Sequence, residues 1–262
     1  MTISFARGIP APECLPVDAD GLDVDALAQC GPAALLYTIP TFQNPTGTTL
    51  SAERRRRLAD LVRERSLTVL EDDPYGLVRF EGEPLPSLLE LEGGEHVLYS
   101  SSFSKTVAPG LRVGYAIIPA ALASELEPLA ASTYITPGLL AQATVHEFFR
   151  RGLLEESLER VCGLLRARRD AMLEALEREL GGHARWNRPE GGYFLWLELA
   201  EDIDASELLV RAAEAGVTFV PGLDFGGASN TVRLAFSFVS PDEIGEGVSL
   251  LARLVASAPA PV

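Results

Sequence analysis

One lysine stands among the 22 basic residues of this 262-residue chain; the other 21 are arginine, and the lysine is Lys105. A guanidinium stays protonated in proteins, whereas burial can strip a lysine amine of its proton, so Lys105 is the one cationic side chain suited to act as a nucleophile or base. An arginine-biased genome that left one lysine by chance would give the same count. Lys105 closes the run Ser100-Ser101-Ser102-Phe103-Ser104-Lys105, where hydroxyls gather beside the amine. Upstream, Glu71-Asp72-Asp73-Pro74-Tyr75 sets carboxylates and a phenol at the end of an apolar stretch. Taken alone, such carboxylates could simply end a strand.

The elements around these residues alternate. Leu35 to Pro40 reads as a short buried strand, Asn44-Pro45-Thr46-Gly47 as a turn, and Ser51 to about Arg65 as a helix with Ser51 at its start. Leu67 to Leu70 gives a second strand, Val97 to Tyr99 a third and Val113 to Ile118 a fourth. This order predicts an α/β fold with a mostly parallel sheet, whose ligands bind beyond the C-terminal strand ends. From Pro119 the pattern turns helical, and Leu153 to Leu180 has the spacing of one long connecting helix. Strands at Tyr193 to Leu199, Val217 to Val220 and Thr231 to Ser237, with helices at Ala205 to Ala215 and Pro241 to Ala256, predict a smaller α+β C-terminal domain. The expected division is 1–150 and 151–262.

Composition removes several function classes. A formal charge of −15 opposes broad contact with nucleic acid or an anionic membrane, since both need clustered Lys and Arg. The dense basic run Arg54 to Arg57, with Glu53 and Asp60 close by, reads as a solvated helix face. Cys14, Cys30 and Cys162 have no metal or redox spacing and read as reduced, mostly buried thiols; His96, His146 and His183 are scattered, so no metal site is expected. No apolar run nears the ~18 residues that cross a bilayer. The start of the chain lacks a signal-peptide pattern, and a cytoplasmic protein is the expectation.

Asn-Pro-Thr-Gly at 44–47, Asp-Asp-Pro-Tyr at 72–75, Ser-Phe-Ser-Lys at 102–105, Gly-Leu-Arg at 110–112 and Arg-Leu-Ala-Phe-Ser at 233–237 occur in one order. Together they resemble the class I/II pyridoxal-phosphate aminotransferases, in particular the branch of 2-aminoadipate and kynurenine aminotransferases. The resemblance implies pyridoxal 5′-phosphate as cofactor, held covalently by Lys105 as a Schiff base, and Lys105 then moving a proton at the substrate α-carbon. It implies Asp72 facing the pyridine nitrogen, Tyr75 and Asn44 on the ring's phenolic oxygen, and Ser102, Ser104 and Arg112 on the phosphate. It also implies Arg233 clamping the α-carboxylate of an amino acid or 2-oxo acid, with Asn44 beside it, and a homodimer. Gly191-Gly192-Tyr193-Phe194 and Phe219-Val220-Pro221-Gly222 resemble segments near the substrate.

The family's stretch before Asn-Pro-Thr-Gly is longer than the one here. The segment from Ile3 to Pro16 resembles the family's extreme N-terminal part and Val17 to Leu27 the lead into the first strand, so the intervening strands, a glycine-containing phosphate loop and a ring-stacking aromatic have no counterpart. An incomplete large domain would leave a sheet edge and apolar surface uncovered. Two readings follow: an aminotransferase moving an amino group between an L-amino acid and a 2-oxo acid, or a noncatalytic remnant acting as a binding or assembly module. Elimination or decarboxylation could use the same lysine, aspartate and arginine. A transcriptional regulator of the related fused kind is disfavoured by the acidic charge.

Overall fold

The computed structural model describes residues 17–134 and 138–257. The segment Ile3 to Pro16, with Cys14, lies outside the described residues. Strands β1 (Val17–Asp18) and β2 (Gly21–Leu22) form a small antiparallel pair, followed by helix α1 (Val24–Gln29), which Asp23 caps through the amides of Asp25 and Ala26. Next come β3 (Leu36–Thr38), α2 (Ala52–Arg65), β4 (Val69–Asp72), α3 (Leu88–Glu92), β5 (Val97–Ser102) and β6 (Gly114–Ile117). They build a four-stranded sheet in the order β3-β4-β5-β6, parallel except for the last strand.

Ser51 does start α2, accepting from the Arg54 amide, and Ser66 ends it in a left-handed conformation. The expectation of a solvated arginine face fails at one position. Arg55 is 1% exposed and donates to the carbonyls of Leu50, Pro40 and Pro86 and to the Thr41 hydroxyl, because α2 sets that turn against loops whose carbonyls have no strand partner. Its neighbours Arg54 and Arg57 pair with Asp18 and Asp25. Glu71 is buried too, accepting from the Leu88 and Leu89 amides at the start of α3.

Helices α4 (Ala120–Tyr134), α5 (Leu139–Arg150) and α6 (Leu153–Leu180) follow, then β7 (Arg185–Trp186), β8 (Phe194–Glu198), α7 (Ala205–Glu214), β9 (Val220–Pro221), β10 (Thr231–Ala235) and α8 (Pro241–Ala256). The second sheet has the order β7-β8-β10-β9 and is antiparallel at every pairing. The strand expected at Val217 to Val220 shortens to a two-residue pairing with β10. Leu195, Leu197, Val232, Phe236, Leu176, Leu208 and Leu251 form the centre of the second core, which Val78 also enters. Val69, Val97, Leu58, Val62 and Leu88 centre the first. Cys30 and Cys162 are half-buried rather than buried. His96 lies beside Glu92, and no metal-holding cluster is found among the described residues.

Candidate active site

The parallel strands β3, β4 and β5 end at Thr38, Asp72 and Ser102, so the loops that leave them share one edge of the sheet. Ser102 is the last residue of β5. Its hydroxyl donates to the Ser104 hydroxyl at 2.8 Å and also accepts the Ser104 amide at 3.1 Å. Arg112 comes back over the same turn, after the 3-10 turn Pro109–Leu111, and donates to the Ser104 hydroxyl at 3.2 Å. It does so from a left-handed backbone, φ 53°, which a non-glycine residue adopts at a cost of about 1 kcal/mol. Two hydroxyls and a guanidinium therefore converge on one spot beside the lysine. Thr106, on the same turn, is buried with its hydroxyl unpartnered among the described residues.

Lys105 projects from this turn. Its amine lies 5.0 Å from the Tyr193 ring centre and 5.9 Å from that of Tyr75, and the Tyr193 hydroxyl donates to its backbone carbonyl at 3.5 Å. Burial, helped by the charge of Arg112, lowers the proton affinity of the amine below that of an ordinary lysine. Tyr75 is 6% exposed and packs against Tyr193 and Phe194 with ring centres 5.6 and 6.0 Å away. Burial first, and then Tyr193 and Asp72, push its phenol up to about 12, with Arg233 acting the other way.

The loop carrying Asp72 is held on both sides. The Asp73 carboxylate takes the Tyr99 hydroxyl at 2.9 Å and the Gly76 amide at 2.8 Å, and the Ser101 hydroxyl donates to the Asp73 carbonyl at 2.7 Å. The Asp72 carboxylate itself accepts the Tyr37 hydroxyl at 2.8 Å. Tyr37 was not among the residues the motifs single out. Its position on the strand next to that of Asp72 was the available signal.

Arg233 reaches the same region from β10, in the second sheet. It donates to the Asn44 side-chain oxygen at 2.7 Å, and its guanidinium carbon lies 4.4 Å from the Phe194 ring centre and 4.8 Å from that of Phe225. Burial lowers its proton affinity, and its Nε is buried without a partner among the described residues. Phe225 also escaped the sequence reading, being an aromatic in a glycine-flanked turn with no periodic neighbours. The Asn44 loop docks on β8: Asn187 donates to the Thr46 carbonyl at 2.7 Å, and at Gly47, φ 70°, a Cβ would strike the Phe194 carbonyl. Of the eight residues picked from motifs, Ser102, Ser104 and Arg112 form one hydrogen-bonded group, Asn44 and Arg233 form another, and Lys105 and Tyr75 lie between aromatic rings. Asp72 is tied to Tyr37.

The sequence profile described as aminotransferase class I and II matches residues 13–251. A 2-aminoadipate transaminase of Thermus thermophilus is 42% identical over 91% of this chain and 62% of its own length. An uncharacterized HTH-type transcriptional regulator, YisV of Bacillus subtilis, is 33% identical over 91% of this chain and 50% of its own. Among solved structures, the kynurenine aminotransferase of Pyrococcus horikoshii superposes with a TM-score of 0.88 at 36% identity, covering 92% of this chain and 63% of that one. The chain thus spans half to two thirds of the length of these relatives. With a family match that runs through nearly the whole chain and takes in both sheets and the loops between them, the protein belongs to the class I and II aminotransferases.

Proposed function

We propose that the chain carries the pyridoxal 5′-phosphate site of an aminotransferase that moves an amino group between an L-amino acid and a 2-oxo acid. The observation that carries this reading is the amine of Lys105, lowered in proton affinity, on the same turn as the converging Ser102, Ser104 and Arg112. The donor set fits the cofactor: two hydroxyls and a guanidinium for a phosphate, an amine for an aldehyde, a carboxylate for a pyridine nitrogen. When bound, pyridoxal 5′-phosphate supplies an electron sink for the charge left when an amino acid loses its α-proton.

The chain's own residues do the rest. Ser102, Ser104 and Arg112 hold the phosphate, and Asp72 faces the ring nitrogen and keeps it protonated. Tyr75 and Asn44 address the phenolic oxygen. Arg233 grips the α-carboxylate through its fork, with Phe194 and Phe225 fixing the plane of the guanidinium and Asn44 its rotation. The Lys105 amine would take the α-proton of the amino acid and deliver it to the C4′ carbon of the cofactor rather than back to the α-carbon; its lowered proton affinity makes it a base nearer neutral pH. The division at residue 150, a homodimer and a cytoplasmic location belong to the same reading.

The second reading, a noncatalytic binding module, is supported by the exposure of all four residues of β6 and by the relative whose name is that of a transcriptional regulator. One experiment separates the two. Incubation with pyridoxal 5′-phosphate is expected to give a visible absorption band that borohydride fixes, and Lys105→Ala to abolish it. Because Lys105 is the sole lysine, the fixed product should carry one cofactor on one side chain. No band at saturating cofactor would favour the binding module.

A further inference from the structure

On β3, Tyr37 stands opposite Leu70 of β4, and Asp72 lies two residues beyond Leu70 on the same face of the sheet. The backbone around Asp72 is fixed from outside: Glu71 points to the other face and caps α3, and the Asp73 amide donates to the Ser100 carbonyl at 2.8 Å. Neither contact sets the side-chain torsions of Asp72. Among the described residues, the hydrogen bond that does so is the one from the Tyr37 hydroxyl to Oδ2, at 2.8 Å. Oδ1 takes no hydrogen bond among the described residues.

We propose that Tyr37 is a positioning residue for the cofactor's ring nitrogen: by donating to one oxygen of Asp72, it locks the carboxylate so that the other oxygen meets a protonated pyridine nitrogen. This rests on the pyridoxal 5′-phosphate reading above. An unrestrained carboxylate must be ordered when the ligand binds, and a second hydrogen bond to the carboxylate removes that cost beforehand. A phenol suits the task because it is a neutral donor. Burial, and then its bond to Asp72, push the Tyr37 phenol above its ordinary range, so it keeps its proton wherever the carboxylate is charged. The ring is 41% exposed, so Tyr37→Phe removes the oxygen and disturbs little packing.

Binding of pyridoxamine 5′-phosphate, measured by equilibrium dialysis, avoids both turnover and the covalent bond to Lys105. Tyr37→Phe is expected to weaken it about tenfold, the order expected for one hydrogen bond to a charged group. The 1-deaza analogue, in which the ring nitrogen is a C–H, should bind both proteins alike, and Tyr37→Phe should cost nothing further in an Asp72→Ala background. Equal binding of pyridoxamine 5′-phosphate by wild type and Tyr37→Phe would overturn the proposal. So would an equal loss with the 1-deaza analogue or in the Asp72→Ala background, since Tyr37 would then act through packing. If wild type fails to bind pyridoxamine 5′-phosphate, the cofactor reading itself falls and Tyr37 loses this role with it.

Discussion

The two four-stranded sheets have the same number of strands and differ in how their faces and edges are covered. In the second sheet, β8 alternates buried and accessible residues, and Leu195, Leu197 and Val232 are fully buried in the core shared with α6, α7 and α8. In the first, α2 and α3 enclose Val69 and Val97, yet every residue of β6 is exposed, with Tyr115 at 43% and Ile117 at 48%. The opposite edge carries Leu35 and Tyr37, also exposed. A sheet whose apolar side chains stop at one face has one finished core, and its outer strands keep a row of ladder groups unpaired. Asp72, Ser102, Ser104, Lys105 and Arg112 hang from this less enclosed sheet, and Arg233 comes from the enclosed one.

Amide hydrogen exchange tests that contrast most broadly. The amides of β8 and β10 should exchange about a thousandfold more slowly than those of β6, as core strands do relative to an exposed edge; similar rates in both would break the comparison. Truncations sharpen it. Phe236→Ala, at a fully buried site, should cost about 4 kcal/mol in a urea titration, whereas Ile117→Ala should change stability by less than about 0.5 kcal/mol.

A smaller loss than that of Phe236→Ala is expected at the seam between the two regions. Glu81, in the segment after β4, faces Arg169 and Arg166 of α6 and Arg188. The hydrogen bond from Arg169 leads the causes that hold its carboxyl down to about 2. A carboxylate depressed in the folded state stabilises the fold above its unfolded value and loses that contribution as pH falls through the folded one. Glu81→Gln should therefore cost about 1 kcal/mol at pH 7, after allowance for solvent screening, and the gap from wild type should close as pH falls from about 4 to about 2. A gap that stays constant over that range would assign the effect to packing.

The parts of the site that are legible in the sequence are those whose residues are near neighbours. Ser102, Ser104 and Lys105 share one turn, so their grouping follows from the order of the residues. The start of α2 at Ser51 and the whole spans of α6 and α8 follow from local spacing in the same way. What depends on strand register was hidden. The Tyr37 bond to Asp72 requires β3 beside β4 in a given alignment, and the stacking of Phe225 on Arg233 requires a turn to fold back over β10. Arg55 misled for a related reason: in a run of four arginines, periodicity cannot tell which one meets the loop carbonyls of Pro40, Leu50 and Pro86. The antiparallel direction of β6 follows from the short link after β5, which is too brief for a parallel crossover.

The bare edge of β6 also governs how the protein behaves at high concentration. Unpaired strands invite a second copy to add on, and the net charge of −15 is the force that keeps copies apart. That repulsion is long-ranged in dilute buffer and shrinks to about 3 Å in 1 M salt. It vanishes near the isoelectric point, about 4.7. The same solution should therefore stay clear at neutral pH and low salt and turn cloudy when acidified or salted, a colloidal property set by four exposed residues and the net acidic charge of the chain.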